Sequence, residues 1–249
     1  MSATSAERRE PRMRRVLVAG ATGCLGRHLV ERLKTEGCWV RVLVRSPEQA
    51  SLFGAVDDVF VGQVSEPSTL AGVAEGVDTV FSSLGITRQR DGVGYEQVDF
   101  GGNLALLREA ERSGVRRFLY VSVLHGALLR DRVRLLAAKE RFVDALAASP
   151  IAHTIVRPTG YFSDMAAFLT MAMKGSAMLV GDGHRRMNPI SGKDLAAACV
   201  TAAREGAAEL ELGGPEVFPS RQIAATAGEA AGRAVRIRRL PLWLARAMV

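Results

Sequence analysis

The residues with the clearest chemical meaning lie near the start of the chain, in a turn that contains three glycines. Residues 16–26 read VLVAGATGCLG, so Gly20, Gly23 and Gly26 separate an apolar strand-like run from a helical run of regularly spaced leucines. Because glycine has no Cβ, it lets a diphosphate approach the backbone or lets a helix press against a strand. The N–H groups and positive end of the helix then face the anion. This combination predicts a dinucleotide-binding site.

A second candidate for cofactor binding is Arg45, which follows the next strand-like run, nineteen residues after Gly26. Sites that prefer NAD(H) place an Asp or Glu at this point to bind the ribose 2′-hydroxyl. An arginine instead offers a planar fork for a 2′-phosphate. The sequence therefore predicts NADP(H) in preference to NAD(H). The alternative is a solvated arginine at the end of a strand.

Strand-like and helical runs alternate along the first 160 residues. The predicted strands are Val16–Ala19, Val40–Val44, Val59–Gly62, Thr79–Ser82, Phe118–Ser122 and Thr154–Arg157. The predicted helices span residues 24–36, 67–74, 96–113 and 131–148, with a weaker one over 47–53. This alternation predicts an α/β fold with a doubly wound parallel Rossmann sheet covered on both faces. A ligand then lies beyond the carboxyl ends of the strands.

The rest of the chain is predicted to form a smaller C-terminal α/β lobe. We expect a mobile basic tail over residues 1–14, a Rossmann domain over 15–160 and this lobe over 161–249, interleaved with the Rossmann core. The elements predicted in the lobe are a helix over Phe162–Lys174, a strand over Ala177–Val180, a helix over Lys193–Arg204 with Ser191 as its N-cap, and pieces near 210–212, 220–231 and 235–239.

Composition excludes several classes of function. The net charge is +7, but charges of both signs alternate and no basic, aromatic-interleaved motif occurs, so we expect no nucleic-acid partner. No apolar run approaches the ~20 residues of a membrane span, and the N-terminus does not read as a secretory signal. Three cysteines without ligand spacing predict a reducing cytoplasm and no metal site. We expect a cytoplasmic monomer or homodimer.

Four segments resemble a known superfamily. The turn GATGCLG at 20–26 resembles the glycine motif of extended and atypical short-chain dehydrogenase/reductases. Three others resemble the NmrA-like atypical branch: YEQVDFGGN at 95–103, VRRFLYVS at 115–122 and VRPTGYFSD at 156–164. The resemblance covers about residues 14–235 and implies a bound dinucleotide. The cofactor-binding residues implied by the glycine motif and by matching segments are Gly20, Thr22, Gly23, Cys24, Leu25, Gly26, Arg45, Gln63, Val64, Ser83, Leu84, Gly85, Lys139, Pro158, Thr159 and Gly160.

Members of these families use a Ser–Tyr–Lys set, often with an Asn, in which the tyrosine transfers the substrate proton and the lysine lowers its pKa. By resemblance, Ser122 matches the serine, Lys139 the lysine and Asn103 the asparagine. The tyrosine is missing, because its position four residues before Lys139 is Leu135. Neither Tyr120 nor Tyr161 fills that position by sequence.

The missing tyrosine leaves several functions open. In a desolvated cleft the pKa of Lys139 would fall, and Lys139 could donate the substrate proton itself. His125 is a second candidate relay, because histidine titrates near neutrality. The alternatives are a solvated helix lysine and a loop histidine without function. An open apolar cleft beside Lys139 would favour a reductase, and a sealed one a non-catalytic NADP(H)-binding sensor or assembly factor. An NAD-dependent epimerase or dehydratase is a weaker alternative, because it needs the tyrosine.

The substrate wall is expected in the stretch that begins with Tyr161, Phe162 and Met165. Five of the eight methionines lie between residues 165 and 187, and methionine adapts to irregular apolar ligands. The sequence thus predicts a small hydrophobic carbonyl, enone or quinone-like substrate, with the loop Ile86–Gly94 folding over it. Ordinary core packing or a dimer face is the alternative.

Overall fold

The computed structural model describes residues 13–86, 92, 94–241 and 243–244. Its main sheet has seven strands in the order β3-β2-β1-β4-β5-β6-β9, and every neighbouring pair is parallel. These strands are β1 (Arg15–Ala19), β2 (Trp39–Val44), β3 (Asp58–Val61), β4 (Thr79–Ser82), β5 (Arg117–Val121), β6 (Ala152–Pro158) and β9 (Glu209–Leu212). The strand order reverses between β1 and β4, which is where such a sheet binds its ligand.

Helices cover both faces of this sheet. The α-helices are α1 (Cys24–Thr35), α2 (Asn103–Arg112), α3 (Gly126–Leu129), α4 (Arg134–Ala147), α5 (Ala166–Met173), α6 (Gly192–Glu205) and α7 (Ser220–Ala230). One face of the sheet packs on α1 and α6, and the other on α2 and α4. In β1, Val16 and Val18 face the first layer, while Leu17 and Ala19 face the second. This confirms the parallel Rossmann sheet predicted from the apolar strands.

The C-terminal part contributes to the main sheet and also forms two small sheets. Strands β7 (Ser176–Val180) and β11 (Arg236–Leu240) pair in parallel, and β8 (Arg186–Met187) pairs antiparallel with β10 (Phe218–Pro219). Ala177, Leu179 and Ala224 form a small core there. Strand β9 and helix α6, by contrast, belong to the layers of the main sheet. The predicted piece near 210–212 is therefore its seventh strand.

Several predicted helices differ in detail from the observed ones. The helix predicted over 47–53 is a 3-10 helix, Pro47–Leu52, and the one predicted over Phe162–Lys174 begins with a 3-10 turn, Phe162–Met165. The helix predicted over 67–74 is one 3-10 turn, Pro67–Leu70, because Gly72 follows in the left-handed region at φ +79°. The helix predicted over 96–113 begins as a π-helix, Glu96–Gly102, that continues into α2. The helix predicted over 131–148 begins only at Arg134. These are boundary errors that leave the strand order unaffected.

Two expectations fall on residues that the structure does not describe: the tail, over residues 1–12, and most of the loop Ile86–Gly94. Within the described ranges, every helix is too short or too polar to cross a bilayer.

Candidate functional site

The glycine turn between β1 and α1 is shaped by close backbone contacts. Gly20 has a φ of +83°, and a Cβ there would lie 2.9 Å from the carbonyl carbon of Ser83. A Cβ on Gly26 would contact the Gly20 carbonyl oxygen and lie 2.7 Å from Ala21 Cα. A Cβ on Gly23 would meet only the Gly20 oxygen, at 3.2 Å. Gly20 and Gly26 are thus required by packing, whereas Gly23 leaves room for a ligand.

The first turn of α1 is arranged to bind an anion. Gly23 is the N-cap residue, makes no side-chain hydrogen bond there, and is followed by a first turn without acidic residues. Cys24 is exposed, but Leu25 is buried in the core, so Leu25 can offer a ligand only its backbone. The Gly23 N–H donates to the Gly20 carbonyl at 3.0 Å. No acidic side chain of the first turn offsets the helix dipole, so the turn fits the diphosphate of a dinucleotide.

The other predicted cofactor residues follow neighbouring strands at the same edge of the sheet. Arg45, directly after β2, is exposed, and its backbone N–H donates to Gln49 Oε1 at 3.0 Å. Ser83 follows β4, and its N–H donates to the Ala19 carbonyl at 3.0 Å. The remaining members of this edge are Gln63 and Val64 after β3, Leu84 and Gly85 after β4, and Pro158, Thr159 and Gly160 at the end of β6. The structure brings these segments to one edge, as parallel strands require.

Lys139 is buried on α4 and pairs with an acidic residue of the π-helix. Its Nζ lies 3.1 Å from Asp99 Oδ1 and donates to the Tyr120 hydroxyl oxygen at 3.5 Å. Asp99 is fully buried and also accepts a hydrogen bond from the Ile86 N–H at 3.2 Å. A Cβ on Gly85 would lie 2.9 Å from Lys139 Nζ, so the ammonium lies directly beneath the cofactor segment. The alternative of a solvated helix lysine is wrong.

The pKa of Lys139 is raised in this structure, and a lowered pKa beside a bound cofactor stays a prediction. Burial by itself lowers that pKa, but Tyr120 and Asp99 outweigh burial, and the pKa lies above its ordinary value of 10.5. Burial raises the pKa of Asp99 above 3.8, and Lys139 offsets only part of this effect. The sequence did not predict the acidic partner, so it predicted desolvation without the opposing charge. The ion pair with Asp99 therefore favours the charged form of Lys139.

Asn103 serves the fold around this pair. The Ser82 hydroxyl donates to Asn103 Oδ1 at 2.5 Å, and Asn103 Nδ2 donates to the Asp99 carbonyl at 2.9 Å. Asn103 is fully buried, so its amide joins β4 to the turn that carries Asp99. Asp99, one helical turn earlier, is the residue of this segment that contacts Lys139.

Ser122, predicted beside Lys139 in a catalytic set, belongs to a second buried network. Its hydroxyl donates to Glu140 Oε1 at 2.7 Å, and a hydroxyl has no second hydrogen to donate. Arg157 donates to both oxygens of Glu140, at 2.6 and 3.0 Å, and also pairs with Glu209. Sequence reasoning missed the role of Glu140, because Glu140 and Arg141 together suggested a solvated stretch beside Lys139.

His125 lies at the N-cap of the short helix α3, with its side chain exposed. Its φ of +59° is in the left-handed region, which is uncommon for a residue other than glycine. Its role as a proton relay stays a prediction.

The apolar stretch after β6 is divided between several environments. Tyr161 packs against the core between the sheet and α1, and burial raises the pKa of its hydroxyl. Phe162 is 47% exposed and meets Phe218 edge-on, with ring centroids 6.4 Å apart. Met165 is half-buried, whereas Met173 and Met178 are exposed and Met171 packs in the small C-terminal core. Within this stretch, Tyr161 directly follows Gly160, the last of the predicted cofactor residues at the end of β6.

A family model described as NAD(P)H-binding matches residues 20–206, which is most of the chain. The chain belongs to this NAD(P)H-binding family. The match and the fold confirm the short-chain dehydrogenase/reductase superfamily that the motifs resemble. The chain is accordingly NAD(P)-binding and of an oxidoreductase-like family.

The relatives of this NAD(P)H-binding protein include an assembly factor and a reductase. The photosystem II assembly factor Ycf39 of Synechocystis sp. is 32% identical over 61% of this chain but only 46% of its own length. The alignment thus spans less than half of that relative. A ceramide reductase of Caulobacter vibrioides is 29% identical over 91% of this chain and 73% of its own length.

A solved structure shares the fold. The NADPH complex of an NADPH-dependent quinone oxidoreductase from Escherichia coli superposes with a TM-score of 0.74, covering 91% of this chain and 78% of that one at 22% identity. This likeness concerns the fold alone.

The three thiols provide a test of where the cofactor binds. Cys24 is exposed in the first turn of α1, whereas burial raises the pKa of Cys38 and raises that of Cys199 to about 12. We expect a thiol reagent such as DTNB to modify only Cys24 rapidly, and NADPH to slow that reaction. The measurement is the labelling rate with and without NADPH, with Cys24→Ser as control. Equal rates with and without NADPH would contradict the placement.

Proposed function

We propose that this NAD(P)H-binding protein is an NADP(H)-dependent reductase of a small hydrophobic carbonyl, enone or quinone-like substrate. The observation that carries the proposal is the buried, charged Lys139 beneath Gly85, at the edge where the cofactor segments meet. This class of substrate is compatible with the names of two similar proteins, a ceramide reductase and a quinone oxidoreductase. The same proposal includes membership of the NmrA-like branch, the division into domains given above and a cytoplasmic location.

The nicotinamide, when bound, would supply the hydride. The glycine turn and the first turn of α1 would hold the diphosphate, and Arg45 would bind a 2′-phosphate. Lys139 would then polarise the substrate oxygen and donate a proton to it, in place of the missing tyrosine. Asp99 would keep that ammonium charged and oriented, which makes it a positioning residue.

The test is NADPH consumption with a panel of quinones, enones and aromatic ketones. We expect Lys139→Ala to lower kcat by about 10²-fold or more while NADPH binding persists. Arg45→Ala should instead weaken NADPH binding more than NADH binding, because only NADPH carries the 2′-phosphate. Lys34→Ala, at a surface ion pair with Asp57, serves as the control. Turnover that survives in Lys139→Ala would refute the lysine mechanism.

A non-catalytic NADP(H)-binding sensor or assembly factor is the second candidate. Two observations favour it: Leu135 occupies the tyrosine position, and the hydrogen of the Ser122 hydroxyl is donated to Glu140. The Synechocystis relative is named as an assembly factor, which agrees with this candidate. Tight NADPH binding without turnover of any panel member would decide for this candidate. An NAD-dependent epimerase or dehydratase is weaker, since the missing tyrosine counts against it.

A further inference from the structure

A large cavity lies at the opposite edge of the sheet from the glycine turn. Its volume is about 1050 Å³, and residues that begin β1, β2, β4, β5 and β6 line it, together with the ends of α1 and α6. Sites for small ligands commonly have volumes of about 300–1,000 Å³. This cavity is therefore large enough for a ligand of its own.

The lining of this cavity is strongly basic. Five arginines line it: Arg14, Arg15, Arg116, Arg117 and Arg204. Two carboxylates lie beside them: Glu36, which pairs with Arg204, and Asp78, whose Oδ2 lies 3.7 Å from Arg116 Nη2. Such an excess within one concave surface concentrates positive potential there. Arginine also presents paired N–H donors that match phosphate oxygens.

Several of these guanidinium groups are held in place by the fold. Arg15 donates from Nε to the Gly76 carbonyl at 2.6 Å and stacks on the Trp39 ring, 3.7 Å from its centroid. Arg117 donates to Thr154 Oγ1 at 3.4 Å. Each of these two hydrogen bonds uses one N–H group, while a guanidinium has five N–H groups. Donors thus remain for a ligand at fixed positions around the cavity.

We propose that this cavity binds a small polyphosphate anion, separately from the dinucleotide. The supporting observation is the cluster of arginines around the amino ends of the strands. The glycine turn lies at the carboxyl ends of the same strands. A ligand with several phosphates can pair with several arginines, whereas a ligand with a single carboxylate would leave most of the arginines without an anionic partner. This inference does not depend on the reductase proposal.

The probe is inorganic tripolyphosphate, titrated calorimetrically into the full chain with NADPH saturating. Saturating NADPH occupies the glycine turn, so the remaining heat reports on a second site. We expect a Kd of about 100 µM or tighter that weakens as salt is raised. Arg14→Gln/Arg116→Gln should weaken binding by about tenfold or more. Arg14→Lys/Arg116→Lys, which keeps the charge but loses the fork, should weaken it less.

The matched control is Arg108→Gln/Arg238→Gln, which removes the same charge from two exposed arginines outside the cavity lining. We expect this variant to bind the anion within about twofold of the wild type, because diffuse charge contributes little. A wild-type Kd weaker than about 1 mM would overturn the proposal. Equal losses of affinity in the cavity variant and the control variant would also overturn it. So would binding that is seen without NADPH and disappears when NADPH is saturating. Thermal unfolding checks that every variant is folded.

Discussion

Replacing Arg157 with Met is expected to lower the free energy of unfolding by about 3–5 kcal/mol. Glu140 is almost fully buried, and Arg157 is its paired cation, donating to both carboxylate oxygens. Without Arg157, Glu140 keeps the Ser122 hydroxyl, which cannot compensate a buried charge. The measurement is urea unfolding followed by circular dichroism.

The controls separate the lost ion pair from the changed side chain. Arg157→Met/Glu140→Gln should recover much of the loss, because it removes the charge left unpaired. Arg130→Met breaks the exposed pair with Asp144 and should cost no more than about 1 kcal/mol. Equal losses in Arg157→Met and Arg130→Met would show that burial of the Glu140 pair contributes nothing.

The second large effect is expected at Lys139. Lys139→Met should lower the free energy of unfolding by about 3 kcal/mol or more at pH 7, because Asp99 would stay buried without its cation. Lys139→Met/Asp99→Asn should recover part of the loss. Lys34→Met, at the partly exposed pair with Asp57, is the control and should cost about 1 kcal/mol or less.

The loss of unfolding free energy in Lys139→Met should change with pH in a direction that follows from the pKa of Asp99. Burial already raises the pKa of Asp99 above its ordinary 3.8, and removing Lys139 raises it further. Between the unfolded and folded pKa values the folded state then binds more protons, so the stability of the variant falls as pH rises through that window. The deficit of Lys139→Met relative to wild type should therefore shrink from pH 7 towards pH 4. A deficit that grows on acidification would refute the assignment of Asp99 as the unpaired charge.

The two buried networks meet on one helix. Lys139 and Glu140 are neighbours on α4, yet Lys139 reaches Asp99 in the π-helix while Glu140 reaches Arg157 on β6. Helix α4 thus ties both flanking segments to the edge where the cofactor segments meet. The two variants above test these ties independently, because each removes a different cation.

The sequence by itself determined the sheet and the edge of it at which the candidate cofactor residues lie. Apolar runs such as Val16–Ala19 and Thr79–Ser82 are buried on both faces, so their composition alone indicates parallel strands. Gly23 and Gly26 are similarly local signals, because the atoms nearest to a Cβ on either belong to the same turn. A Cβ on Gly20 would instead meet Ser83, which follows β4. The strand ends then follow from the fold class, which is why Arg45 and Ser83 lie at the same edge of the sheet, as predicted.

Only the tertiary structure decided which charged side chains pair. Asp99 and Lys139 are forty residues apart, and Ser122 and Glu140 eighteen. No local pattern links such residues, because their contact depends on how α4 and the π-helix pack against the sheet. The same holds for the arginine-lined cavity, since Arg15, Arg116 and Arg204 come together only where strands and helices from distant parts of the chain end side by side. Local periodicity fixes which elements form, but the net charge and pKa of a buried group depend on neighbours that packing supplies.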